Sequence, residues 1–334
     1  MSKKLLTIAL ATAFMLNAAY ARPFRVNICF ELDPDINITF ETGSTGFGIG
    51  LDSHLNKNVR LRTGFNWVPR FEYPMNFNIQ VGEDGDPGYD AEGHSRFDRM
   101  AGYLEEMTGF KIDQQVEMIG VPSFNNFKLL FDVSPFNNKN WYFTAGFYAG
   151  SSIIGRAYNR TEDMTTLMSV AMYNNIYDKV YDIEYNDESE LNGVFLGLEL
   201  PPAVNNKILD AGRMGMHIGD YKDKVDENGN PIPYMMEPDQ DNMVKAEMKV
   251  NSFRPYIGAG YSGPIYKLND RFRFSVDCGI MFWGGTPKVY THDGTDIVSE
   301  LENITSQVDK YVDKIKPLKV YPMLNLSISY RLTK

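Results

Sequence analysis

Hydrophobic and polar residues alternate one for one in several runs of this chain. In the last of them, "LNLSISYRLT", Leu324, Leu326, Ile328, Tyr330 and Leu332 share one parity, and Asn325, Ser327, Ser329, Arg331 and Thr333 share the other. Successive side chains of a strand point to opposite faces, so a period of two predicts a strand with one apolar and one polar side. "VRLRTGFNW" places Val59, Leu61, Phe65 and Trp67 opposite Arg60, Arg62 and Asn66. "FKLLFDV" sets Phe127, Leu129, Phe131 and Val133 against Lys128, Leu130 and Asp132, and "WYFTAGFYA" sets Trp141, Phe143, Ala145 and Phe147 against Tyr142, Thr144 and Tyr148. "FRPYIGAGY" and "RFRFSVDCGIMF" continue the pattern, with Arg254, Arg271, Arg273 and Asp277 on the polar side.

A soluble sandwich also alternates, but its strands run near five or six residues. Many runs here reach nine or more, the length that crosses a bilayer at a tilt. The expected fold is therefore all-β: a transmembrane antiparallel up-and-down β-barrel. The connections fit it. Leu55 to Asn58, Asn137 to Asn140 and Leu268 to Asp270 read as tight polar turns, while the segments near 83–120, 159–190, 224–243 and 291–315 read as long extracellular loops. If every tight turn lies at one end, a return strand is needed between 141–158 and 209–223, and Asn192 to Pro201 is the candidate. With Phe24 to Leu32 this gives about ten strands; eight follow if neither run enters the wall. Apolar spacings of three and four predict short helices within the loops. One runs from Asp296 to Lys316, a second carries Phe97, Met100, Leu104 and Met107, and a third carries Met164, Leu167, Met168, Ala171, Met172 and Ile176. Their stripes are expected to bury against one another as a cap.

The N-terminus points to export. Lys3 and Lys4 precede an apolar run from Leu5 to Leu16, and Ala19-Tyr20-Ala21 places small residues where a signal peptidase reads, so residues 1–21 are expected to be removed before Arg22. Beyond it no stretch approaches the ~18 apolar residues of a membrane helix. The 334-residue chain carries −10, and loss of Lys3 and Lys4 makes the mature form −12, which argues against nucleic acid as a partner. Aromatics are abundant, at 21 Phe, 20 Tyr and 3 Trp, and a barrel uses them as an interfacial girdle; Trp67, Trp141, Trp283 and Tyr321 are the candidates. Cys29 and Cys278 either form a disulfide clipping the N-terminal segment to a late strand or stand as two separate thiols.

The "TGFGIGLDSHLNKNVRLRTGF" start, the "FWGGTPKVYTHDG" approach to a final "YPMLNLSISYRL" strand and the Ala19-Tyr20-Ala21 site resemble outer-membrane β-barrel proteins of the Bacteroidota, across the whole mature chain. The resemblance implies residence in outer-membrane lipid and insertion by the barrel assembly machinery, which reads a C-terminal strand ending in an aromatic residue. This chain ends Leu332-Thr333-Lys334, leaving Tyr330 as the nearest aromatic. That family is mostly without an assigned activity, so the resemblance implies no enzyme.

Candidate chemistry lies first on the polar parity. Arg60, Arg62, Lys128, Asp132, Arg254, Arg271, Arg273 and Asp277, with Glu41 and Asn37, are expected to line the lumen. They either form an anion-selective constriction or pair across the interior and seal it; a small barrel is nearly filled by its own side chains, and buried charge demands partners. No catalytic set is read. His54, His94, His217 and His292 are scattered, and "THDGTD" (Thr291 to Asp296) is a turn rather than a triad. "GEDGDPGYDAEG" and "DKVDENGNP" lack the calcium-loop spacing, so no metal or other cofactor is expected. The reading is a non-enzymatic barrel whose cap meets a surface partner or ligand, with a narrow channel for a small solute as the alternative and an outer-membrane hydrolase behind it.

Overall fold

The computed structural model describes residues 35–82, 86–185, 202–265 and 271–332. The expected signal segment, Cys29, the Phe24–Leu32 and Asn192–Pro201 runs and the Leu268–Asp270 turn lie outside the described residues.

Eight long strands make the wall: β1 (Ile36–Gly43), β2 (Gly46–Asn56), β3 (Val59–Trp67), β7 (Asn126–Val133), β8 (Trp141–Gly150), β13 (Phe253–Pro264), β14 (Phe272–Met281) and β17 (Tyr321–Arg331). They close in the order β1-β17-β14-β13-β8-β7-β3-β2. Every wall pairing is antiparallel, and the first and last strands meet from Asn37 with Arg331 to Gly43 with Asn325. The alternation sorts as the period of two requires. Phe65, Phe127, Phe143, Ile257, Leu324 and Leu326 are exposed on the outside, whereas Arg62, Lys128, Asp132, Asp277, Asn325 and Ser327 are buried within.

The expected ten strands are corrected to eight. The wall closes on eight described strands, and the run near 209–223 is not among them. That run forms β10 (Met214–Val225), whose first half buries both faces: Met214, Met216 and Ile218 on one parity, Gly215 and Gly219 on the other. A strand buried on both faces sits between layers and has no polar lumen side to offer.

One end of the barrel carries short turns. At Lys57–Asn58 the side chain of Asn56 accepts from the backbone N–H of Asn58 and Val59, both at 2.8 Å, and 134–140 link β7 to β8. At the other end, the described residues of 68–82, 86–125, 151–185, 202–252 and 282–320 rise from the wall and assemble one cap. A five-stranded sheet runs β15 (Lys288–Thr291), β12 (Lys245–Lys249), β9 (Ile153–Asn159), β6 (Gln115–Pro122), β4 (Tyr73–Asn78). A smaller sheet joins β11 (Pro231–Met236), β10 and β16 (Leu301–Glu302), with β5 (Gln80–Val81) against β10.

The helix Arg96–Thr108 starts at a capping box, in which Ser95 and Asp98 exchange side-chain and backbone bonds, and stops at Gly109, whose φ of 73° suits glycine. Phe97, Met100 and Leu104 face the core, while Met107 is exposed. The helix Met164–Tyr185 buries Leu167, Val170, Tyr173, Ile176 and Val180. The single helix expected over 296–316 is two, Ile297–Glu300 and Ser306–Ile315. Between them Leu301–Glu302 pairs with Tyr221 and Asp220, and Asn303 turns at φ 45° with its side chain donating to Asp220 at 2.9 Å. A sheet bond replaced the helical one at that point. The helical stripes accordingly bury against two sheets in one apolar core, not only against one another. Among the described residues no helix is long and apolar enough to cross a membrane.

Candidate functional site

The lumen is built in layers from the short-turn end upward. Arg60 and Asp132 face each other on paired strands and form an ion pair at 2.6 Å. Arg62 reaches further. Its guanidinium binds Asp132 at 2.9 Å and both carboxylate oxygens of Asp277, each at 2.9 Å, so three strands are tied across the bore. Tyr142 donates its hydroxyl to Asp277 at 3.0 Å and lies under the Arg60 guanidinium, 4.8 Å from ring centre to charge; Thr144 donates to Asp132 at 2.8 Å. Beside this layer Asp52 accepts from Asn37 at 2.7 Å, Thr39 at 2.6 Å and Ser329 at 3.1 Å. The next layer pairs Lys128 with Glu41, which also accepts from Asn66. The ion pairs of these layers lie in a buried interior, where either partner alone would be costly.

Above the charges the bore turns apolar. Leu130, Tyr148, Tyr256, Met281, Met323 and Phe124 form one buried cluster under the cap. Glycine makes the room: Gly258 and Gly279 face each other on β13 and β14, and a Cβ at either would lie 2.4 Å from the Tyr256 hydroxyl. At the cap boundary Arg254 is fully buried. It donates to the carbonyl of Asn251 at 2.7 Å, to the carbonyl of Ser151 and to the Asn126 side chain, and it stacks on Phe124 at 5.0 Å. Arg273, half-buried near the short-turn end, donates to Ser262, and Arg271 donates to the Tyr330 hydroxyl at 3.3 Å. Of the eight charged candidates, Arg60, Arg62, Asp132 and Asp277 form one network, Lys128 belongs to the layer above, and Arg254, Arg271 and Arg273 stand apart from both. Asp52 and Tyr256 were missed as lumen parts, and Tyr148, though placed on the polar parity, was not singled out as part of a plug; alternation with outward apolar residues was the signal available.

Two girdle candidates depart from expectation. Trp67 and Trp141 face outward near opposite ends of the wall. Trp283 is instead buried beneath the cap, donating its indole N–H to the Leu318 carbonyl at 2.9 Å, with its ring 5.0 Å from that of Tyr321 and tilted by 37°. Tyr321 in turn donates its hydroxyl to the Ser44 carbonyl at 2.6 Å. Both polar tips are used inside, which is why neither ring serves the outer surface. Cys278 lies exposed on the outer wall as a free thiol.

A cavity in the cap was not foreseen. A space of about 440 Å³ lies in the cap between the five-stranded sheet and the helix Ser306–Ile315. Its floor is a cross-strand row of small residues, Gly120 opposite Ala157 and Ala157 opposite Ala246, with Gly155 two residues along on the same face. Met75, Met118 and Met248 bound it, and Tyr311, Val312 and Ile315 roof it. Tyr234, buried in the cap core, donates to Asp293 at 2.8 Å; burial first, then that carboxylate, pushes the phenol above its ordinary value. No group of His, Cys, Asp and Glu among the described residues could hold a metal ion.

No family model and no curated protein matches the chain. Among solved structures it is similar to CarO2 and CarO of Acinetobacter baumannii, each at 13% identity and a TM-score of 0.36, covering 89% of this chain and 98% and 97% of theirs. It is also similar to a major outer membrane protein of Thermus thermophilus, at 10% identity and a TM-score of 0.25, covering 90% of this chain and 100% of that one. Likenesses this remote say nothing of role.

Proposed function

We propose that this chain is an exported, integral outer-membrane β-barrel with a sealed lumen, non-enzymatic, and that it acts through its cap as a binding module. The carrying observation is Arg62 clamped between Asp132 and Asp277, under an apolar plug and inside a wall whose outer face is apolar. An apolar exterior belongs in lipid, and charges paired across the bore beneath an apolar plug oppose the passage of ions. The kinship with barrels of the Bacteroidota and insertion by the assembly machinery through β17 belong to the same proposal.

Residues 22–334, refolded and checked by heat-modifiable gel migration, are placed in a planar bilayer. A folded, silent protein is expected. Discrete single-channel steps would replace the sealed-lumen reading with the second one, a narrow anion channel. That second reading draws on Arg254 and Arg273, whose described hydrogen bonds go to neutral groups.

A further inference from the structure

The cap cavity has the wrong chemistry for a polar solute. Its floor is glycine and alanine, its sides methionine, and its roof valine, isoleucine and a tyrosine ring. Apolar cavities of this size stay poorly hydrated and favour apolar ligands. The row Gly120–Ala157–Ala246 crosses three adjacent strands, so the space is a trough perpendicular to them, suited to a chain more than to a compact ring.

Its position supplies the source. Phe71, Pro122, Gly155 and Met248 line it, and each stands four or five residues from the cap end of a wall strand, at Trp67, Asn126, Gly150 and Phe253. The trough thus begins just above the apolar belt. Phe71 and Tyr73, 56% and 53% exposed, stand at this edge, where aromatic rings suit a lipid–water boundary. Two cations border the cavity. Arg156 is paired with Glu247 at 3.1 Å, and Lys314 is exposed at the rim.

We propose that the cap trough takes the acyl chain of a single-tailed anionic amphiphile drawn from the membrane surface, with Lys314 meeting its head group. The proposal rests on the barrel standing in a bilayer and names the ligand class of its cap. Burial of hydrocarbon supplies the affinity, and the rim cation sets orientation.

The test uses the full mature chain in phosphatidylcholine nanodiscs, a photoactivatable diazirine palmitate, and peptide mapping by mass spectrometry. Labelling is expected on residues 115–122 and 306–315, competed by excess palmitate. Ala157→Phe should reduce it about tenfold by filling the floor. Gly155→Val is the gentler variant, because a Cβ there meets only ordinary contacts, at 3.8 Å from Met248 and Val121. Lys314→Glu should weaken competition by palmitate and leave competition by hexadecanol unchanged. Cap labelling that is absent, or that persists undiminished in both floor variants, overturns the proposal. Labelling of outward wall residues such as Phe143 and Leu326 reports the bilayer separately. Wall without cap labelling sinks the ligand alone, and cap without wall labelling sinks the membrane reading.

Discussion

Arg62 and Asp277 are 215 positions apart in sequence, yet their side chains form a two-point ion pair at 2.9 Å across the bore. They lie on strands that do not touch. Only closure of the barrel brings them together, so the pair reports a completed wall. Arg62→Met strands Asp277 with the Tyr142 hydroxyl as its described partner, and the cost of breaking such a buried pair is about 3–5 kcal/mol. The urea midpoint of the heat-modifiable form should fall accordingly. Arg62→Met combined with Asp277→Leu should recover much of the loss.

The plug depends on missing side chains. Gly279→Leu should prevent Tyr256 from lying across β13 and β14 and reduce the folded fraction sharply, since even a Cβ there would lie 2.4 Å from the hydroxyl. Tyr256→Ala in the same chain should restore folding only in part, measured as the proportion of the fast-migrating band, because the added Cβ also meets the Ile257 carbonyl oxygen at 2.5 Å. A double variant as poor as the single one would locate the problem in the backbone.

Loss of the first cap helix should be local. Ser95→Ala removes the side chain that accepts from the backbone N–H of Asp98, worth about 1 kcal/mol. Protease cleavage between 88 and 112 should accelerate while the wall stays intact. The bond to the Ser95 side chain, then that to its backbone, holds the Asp98 carboxyl below its usual range. A lowered carboxyl contributes its stability above the unfolded value and loses it as pH falls through the folded one. The cleavage rate in the unaltered protein should therefore rise only in strong acid, and Ser95→Ala should flatten that rise.

The break between the two late helices should resist repair. Asn303 sits at φ 45°, a region that β-branched residues avoid. Asn303→Val should cost about 1–3 kcal/mol, whereas Asn303→Gly keeps the turn and loses only the bond to Asp220. Hydrogen exchange of the Leu301–Glu302 amides would separate them.

Much of the wall was legible in the sequence because a barrel imposes a strict period of two, lipid on one side and charge on the other. Arg60, Arg62, Lys128, Asp132 and Asp277 could be assigned a side by counting alone. Their partners could not, because Arg62 bonds across the bore to strands whose neighbourhood is set by closure. The strand number failed where the pattern failed: β10 is buried on both faces, and the five-residue cap strand β12 sets Lys245, Glu247 and Lys249 against Ala246 and Met248 just as a wall strand would. Residues 298–315 kept helical spacing through a break made by the two cross-strand pairs at Leu301 and Glu302. Trp283 read as a girdle residue because an aromatic at the end of a wall strand looks the same whether it turns outward or under a cap.

The seam between β1 and β17 has a last consequence. These strands lie about 290 residues apart and share pairings from Asn37–Arg331 to Gly43–Asn325, so the two raw edges of the wall find each other only after everything between has been threaded through. The cap hangs from strands already held on both sides, and a cut within it leaves the cylinder whole. Removal of Tyr321–Arg331 does the reverse. It frees β1 and β14 together, turning a structure with no edges into an open sheet with two, ready to pair with whatever strand comes next.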